Sequence, residues 1–165
     1  MKINHYQKGV GLIEVLVALL LLAVGVLGYS ILQIRAVDAS SEALSRSQGM
    51  LITRALAENM RANPGAQTNY PAAVRGFTNI TAAPTVPSPT CYNSVCTPAQ
   101  MANFDAYMAA RSAFAIGMNI TMADCPGVGS APIKRQCIFV AWGNTTLSVS
   151  GTTAGVSNCM KTSGG

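Results

Sequence analysis

The sequence predicts an α+β fold: a long N-terminal helical spine packed on a small antiparallel sheet, with a second short helix in the head. Three observations predict it. From Val15 to Leu32 nearly every residue is apolar, and apolar residues then continue at helical spacing as far as Ala62. Thr97-Pro98-Ala99-Gln100 is a helix start, with a hydroxyl at the cap, proline at the first helical position and glutamine at the third. Beyond Asn119 the pattern changes to alternating or β-rich runs.

The first element divides in two. Counted from Val10 to Leu32, roughly 23 residues at about 1.5 Å rise span about 34 Å, enough to cross a hydrocarbon core of about 30 Å. Residues 10–34 are therefore the membrane half of the spine. Past them, Val37, Leu44, Leu51, Ile52, Ala55 and Ala62 fall on one side, while Arg35, Asp38, Glu42, Arg46, Arg54 and Arg61 lie elsewhere, so this half is expected to pack through one face. Asn63-Pro64-Gly65 is the stop, because the residue before a proline disfavours the helical region. The interior glycines Gly25, Gly28 and Gly49 each cost about 1 kcal/mol against alanine, and mark either bending points or close packing.

From Gly65 to Pro89 the chain is rich in Pro, Ala, Thr, Asn and Gly and reads as a long irregular connection. The second helix runs from Pro98 to about Phe114, with Met101, Phe104, Met108 and Arg111 along one side. Three or four antiparallel strands follow: Asn119–Ala123, Cys137–Trp142 and Thr145–Ser150, the last two joined by a hairpin turn at Gly143-Asn144. Trp142 is expected in the core, and the small, polar tail from Gly151 is tied down by Cys159.

Composition excludes several functions. Basic residues number 11 against 6 acidic, yet only Lys134-Arg135 are adjacent, so the clustered basic face of a nucleic-acid binder is missing and no nucleic-acid partner is expected. The one histidine, His5, stands at the extreme N-terminus, no Cys-x-x-Cys occurs, and the close carboxylates Asp38 and Glu42 fall on a solvated helix face; no enzyme, metal or cofactor is expected. All five cysteines, Cys91, Cys96, Cys125, Cys137 and Cys159, follow the apolar run, where an oxidising compartment favours disulfides. A bridge Cys91–Cys96 closes the turn before the second helix; a second joins two of Cys125, Cys137 and Cys159, with Cys125–Cys137 favoured by the short turn-rich segment between them.

One residue is out of place in the apolar run. A carboxylate costs on the order of 3 kcal/mol at the centre of a membrane helix, less near its end, and Glu14 sits at the mouth. Lys8-Gly9 precedes it, and Leu12, Ile13 and Glu14 stand third, fourth and fifth after the glycine. This arrangement resembles the class III signal of type IV prepilins. A secretory signal cut near Ala23-Val24-Gly25, or a plain signal anchor, would leave Gly9 and Glu14 unexplained.

The resemblance implies a basic leader, residues 1–9, cut after Gly9 by a prepilin peptidase, with N-methylation of Val10 as the new terminus and a role for Glu14 in assembly. It departs from the family's usual residues at Val10 and Gly11. The pilin-like head then occupies residues 35–165, including the amphipathic half of the spine. Cys96 to Gln100 further resembles an element of PilV-type minor pilins. The expected function is accordingly a minor pilin that joins or primes a type IV pilus. Its implied partners are other minor pilins, the major pilin and a tip adhesin, and its implied location is the inner membrane, single-pass with a periplasmic head, then the pilus or its tip. A type II secretion pseudopilin, and behind it a DNA-uptake pilin, are the alternatives.

Overall fold

In the computed structural model, the described residues are Gly9, 11–126, 128, 131–133 and 135–157; for 156 and 157 only the backbone is described. They divide into two compact units, residues 1–44 and 45–165. Helix α1 runs Leu12–Ala62 and stops directly before Asn63-Pro64, where the sequence places the stop. In the first unit its side chains bury nothing: Leu12, Leu16, Leu20, Val24, Leu27, Ile31 and Ile34 are all more than half exposed. Among the described residues it is the one helix long and apolar enough to cross a membrane.

The second unit opens with the rest of α1. Its packed face is centred on Gly49, Ile52, Leu56 and Met60; of the stripe the sequence suggested Ile52 alone belongs to it, and Leu44 and Leu51 remain more than half exposed. At Gly49 the helix comes close to the sheet: an added Cβ would stand 3.5 Å from Val140 and 3.6 Å from Trp142. A residue no larger than alanine fits at this contact, and the packed residues Ile52 and Leu56 follow at i+3 and i+7 from it. Close packing is thus the use of Gly49; nothing lies within 4 Å of a Cβ at Gly25 or Gly28.

The first part of the stretch expected to be irregular instead folds into a 3-10 turn at Pro64–Ala66 and a short helix α2, Tyr70–Arg75, while residues 76–89 carry no helix or strand, as expected. Proline in the first turn supplies the helical φ, and Tyr70 and Val74, one turn apart, are wholly buried. Helix α3, Pro98–Ala115, begins with the capping box read from the sequence: Thr97 Oγ1 accepts from the Gln100 amide at 3.3 Å, and Gln100 Oε1 accepts from the Thr97 amide at 2.8 Å. Its buried face is Ala102, Ala106, Ala109, Ala110 and Ala113. Of the expected Met101–Arg111 stripe only Phe104 is buried, because the alanines admit the closer approach to α2 and the sheet.

The sheet is mixed, correcting the antiparallel expectation. Strands β1 (Asn119–Asp124), β2 (Gln136–Ala141), β3 (Thr146–Ser150) and β4 (Thr153–Ser157) lie in the order β2-β1-β4-β3. β1 pairs antiparallel with β2 over its whole length, β3 pairs antiparallel with β4, and β1 meets β4 in parallel at Asp124 and Thr153. Gly143-Asn144 therefore does not close a hairpin: β2 and β3 are opposite edges, and the link carries the chain from one to the other. The hairpin turn is Gly151-Thr152, with Gly151 at φ 60°, a conformation that glycine adopts without penalty. Trp142 is half-buried against the core of Leu56, Tyr70, Val74, Ile120 and Met122.

Candidate assembly site

The sequence-predicted residues fall into two groups. At the N-terminus, Gly9 is exposed, Val10 lies outside the described residues, and Glu14 occupies the first turn of α1, its amide bonded to the Gly11 carbonyl at 2.9 Å. Glu14 lines a shallow apolar notch with Ile13, Val17, Ala18 and Leu21. A carboxylate on such an apolar helix surface is poorly solvated in lipid.

In the head, Cys91 and Cys96 form a disulfide with Cα atoms 5.7 Å apart, and Cys125 and Cys137 form a second at 5.0 Å. The second bridge clamps the loop end of the β1–β2 ladder, beside the Asp124–Gln136 pair and the bond from the Cys125 amide to the Arg135 carbonyl. Cys159 lies outside the described residues. The first bridge holds a loop against α3: the Tyr92 ring meets Phe104 edge-on at 4.8 Å, and its hydroxyl donates to Met108 Sδ at 2.9 Å. Val95 in that loop is fully exposed.

Sequence reasoning missed a polar cluster inside the head. The Tyr70 hydroxyl donates to Asp105 Oδ2 at 2.6 Å and accepts from Asn63 Nδ2 at 3.2 Å; Asn63 Nδ2 also donates to the Pro98 carbonyl at 2.8 Å. Three elements are thereby tied at one point: the end of α1, α2 and the start of α3. Burial, the bond to Asp105 and that carboxylate's charge push the Tyr70 hydroxyl up to about 12, against the opposing bond from Asn63. Burial also raises the Asp105 carboxyl above the usual carboxylate range, partly offset by the Tyr70 bond, which favours the ionised form. The available signal was position: within Pro98–Ala115, Asp105 shares its face with Ala102 and Ala109, three residues before and four after.

Beside this cluster, a cleft of about 340 Å³ runs between α1 and α3, walled by Leu51, Ile52, Ala55 and Met108, with Asn59 and Asp105 among its polar atoms. Among the described residues, no group of three or more His, Cys, Asp or Glu side chains is placed to hold a metal. The chemistry on display is that of contact: an apolar helix with one charge, and a disulfide-braced head.

A long N-terminal apolar helix continued into a small α+β head defines the class of pilin-like subunits. Two families match the chain in succession, the prokaryotic N-terminal methylation motif over residues 4–30 and type IV pilin Tt1218 over residues 31–107. The two matches together span residues 4–107 and are consistent with a member of the type IV pilin family. No curated protein and no solved structure matches it.

Proposed function

We propose that the protein is a PilV-like minor pilin, cut after Gly9 by prepilin peptidase, N-methylated at Val10, and held in the inner membrane by the first half of α1 with its head in the periplasm. From there it joins or primes a type IV pilus together with other minor pilins and the major pilin. Its role is structural. The observation that carries this reading is the methylation motif, matched over residues 4–30 and running into a helix whose membrane-length apolar span, of mean hydropathy 2.7, is 0% buried within the chain. The disulfide loop followed at once by the capped start of α3 supports the PilV-like assignment.

The test is mass spectrometry of the mature N-terminus, with N-methylated Val10 expected. A terminus after Gly25, or an intact Met1, would overturn the reading. Retrieval of the tagged full-length chain separates the destinations: co-purified pilus subunits support a minor pilin, whereas secretion-system components would make it a pseudopilin.

A further inference from the structure

The cleft between α1 and α3 is not used by the prepilin signal or by the core. Its walls, Leu51, Ile52, Ala55 and Met108, are apolar, and Asp105 is the one titratable side chain that lines it. Asp105 is 9% exposed, and that remaining exposure is what it offers the cleft. Its carboxylate accepts one bond, from Tyr70 to Oδ2, although an ionised carboxylate has about four acceptor positions. Among the described residues no arginine or lysine forms an ion pair with it, and the groups acting on it include no cation. Arg111, on the same helix, turns instead to the Tyr107 hydroxyl at 3.3 Å.

A buried carboxylate with spare acceptors and no counter-charge is incomplete, and an opposite charge arriving in a low-dielectric cleft interacts with it far more strongly than at a surface. The size of the cleft, at the low end of the roughly 300–1,000 Å³ of ligand pockets, suits one long side chain and not a helix. Lysine and arginine have the required form, an apolar stem for the walls and a charged tip for the floor, and arginine can use two acceptors at once. Around the mouth the surface is apolar: Leu51 is 64% exposed, and Tyr92, which touches Met108, is 62% exposed. A side chain entering the cleft would bring its own backbone down onto this rim.

We propose that the α1–α3 cleft is a docking site for an arginine or lysine side chain presented by an adjoining pilin subunit, with Asp105 as its counter-charge and the Leu51–Tyr92 rim receiving the flanking apolar residues. The identity of the partner as a pilin rests on the minor-pilin reading; the chemistry of the site does not.

The experiment uses the full-length chain in its own membrane, with Leu51 replaced by the photo-crosslinking residue p-benzoylphenylalanine, and identifies the joined peptides by mass spectrometry. Another pilin is expected, joined through a segment that carries arginine or lysine. Asp105→Asn, which keeps an acceptor for Tyr70, should lower the yield about tenfold. Ser112→Arg, at the exposed rim, places a guanidinium in the cleft from within the chain and should lower it comparably without touching the core. Unchanged yield in both variants, or joining through a wholly apolar or acidic segment or to lipid, overturns the proposal. The same samples report the Val10 terminus: its methylation with a negative crosslink sinks the cleft alone, whereas its absence sinks the pilin reading.

Discussion

Replacing Tyr70 by phenylalanine removes one oxygen from the point where α1, α2 and α3 meet. The ring is wholly buried and is kept, so no cavity of consequence forms. What is lost is the 2.6 Å bond to Asp105 Oδ2, together with the acceptor for Asn63. A hydrogen bond to a charged group contributes about 1.5–3 kcal/mol, and a neutral one about 1 kcal/mol. With Asp105 ionised, Tyr70→Phe should therefore destabilise the head by about 2 kcal/mol, or roughly 6–10 °C in melting temperature for a unit of this size. The cost must also depend on pH, with a definite sign. The Asp105 carboxyl is raised above its ordinary value, so its contribution favours folding below the unfolded value of 3.8 and is lost as pH rises through the folded value. Removing the Tyr70 bond raises the folded value further and deepens that loss. The penalty should be about 1 kcal/mol at pH 3, where the carboxyl is protonated, and should rise toward about 2 kcal/mol as the pH rises and the carboxyl ionises. Circular dichroism melts of the full-length chain in detergent across this range measure it. A penalty that does not grow with pH would refute the charged bond, and a penalty that stays below about 0.5 kcal/mol throughout would refute the cluster's structural role.

Tyr70 also predicts an alkaline limit: its folded value near 12 lies above the ordinary 10, so its contribution is intact below pH 10 and is lost between about pH 10 and 12; an alkaline titration should show a stability loss there that Tyr70→Phe abolishes. Gly49→Ala should stabilise the head by about 0.5–1 kcal/mol, since its Cβ would make ordinary 3.5–3.9 Å contacts while the helix gains propensity, whereas Gly49→Leu should destabilise it by about 1–3 kcal/mol by overfilling the space beside Val140 and Trp142; thermal melts of the pair check the sign change. Replacing Cys125 and Cys137 together by serine should cost about 2–4 kcal/mol and lower the urea midpoint, with Cys91–Cys96 intact on peptide mapping. Glu14→Ala should insert into the membrane at least as well as the parent chain yet be recovered less in sheared pili, measured by fractionation of the same cells.

Much of this was legible because it depends on contacts near in sequence. The stop at Asn63-Pro64, the cap at Thr97 and the strands at Asn119 and Gln136 follow from propensity and pattern over a few residues. Tyr70–Arg75 was not, because a six-residue helix has little intrinsic stability and exists by burying Tyr70 and Val74 against elements far along the chain. The same holds for β4: Thr153–Ser157 is small and polar, and only its pairing with β3 makes it a strand. The order β2-β1-β4-β3 turns on whether Gly143-Asn144 or Gly151-Thr152 closes the hairpin, two turns that composition alone does not rank. Asp105 was readable in principle, since an acid on an alanine face asks for a partner, but Tyr70 lies 35 residues away in a segment read as irregular.

The two halves of α1 pose different energetic problems. In the head, Leu56 is buried on Tyr70, Val74 and α3, and each such side chain removed from water contributes roughly 1.5–3 kcal/mol. Residues 12–34 find no such cover within the chain, so they require a non-aqueous surrounding, whether lipid or other helices. Moving them from the one to the other gains little from the hydrophobic effect, because lipid tails are as apolar as leucine. Assembly out of the membrane must then draw its preference from packing and from groups that lipid serves badly. Under the proposed assembly role, the carboxylate of Glu14 is that group. Lipid offers it no counter-charge, whereas a filament in which a terminal amine stands beside it does, so a single charge at the mouth of the apolar run can favour the assembled state over the stored one without weakening the anchor that the other residues provide.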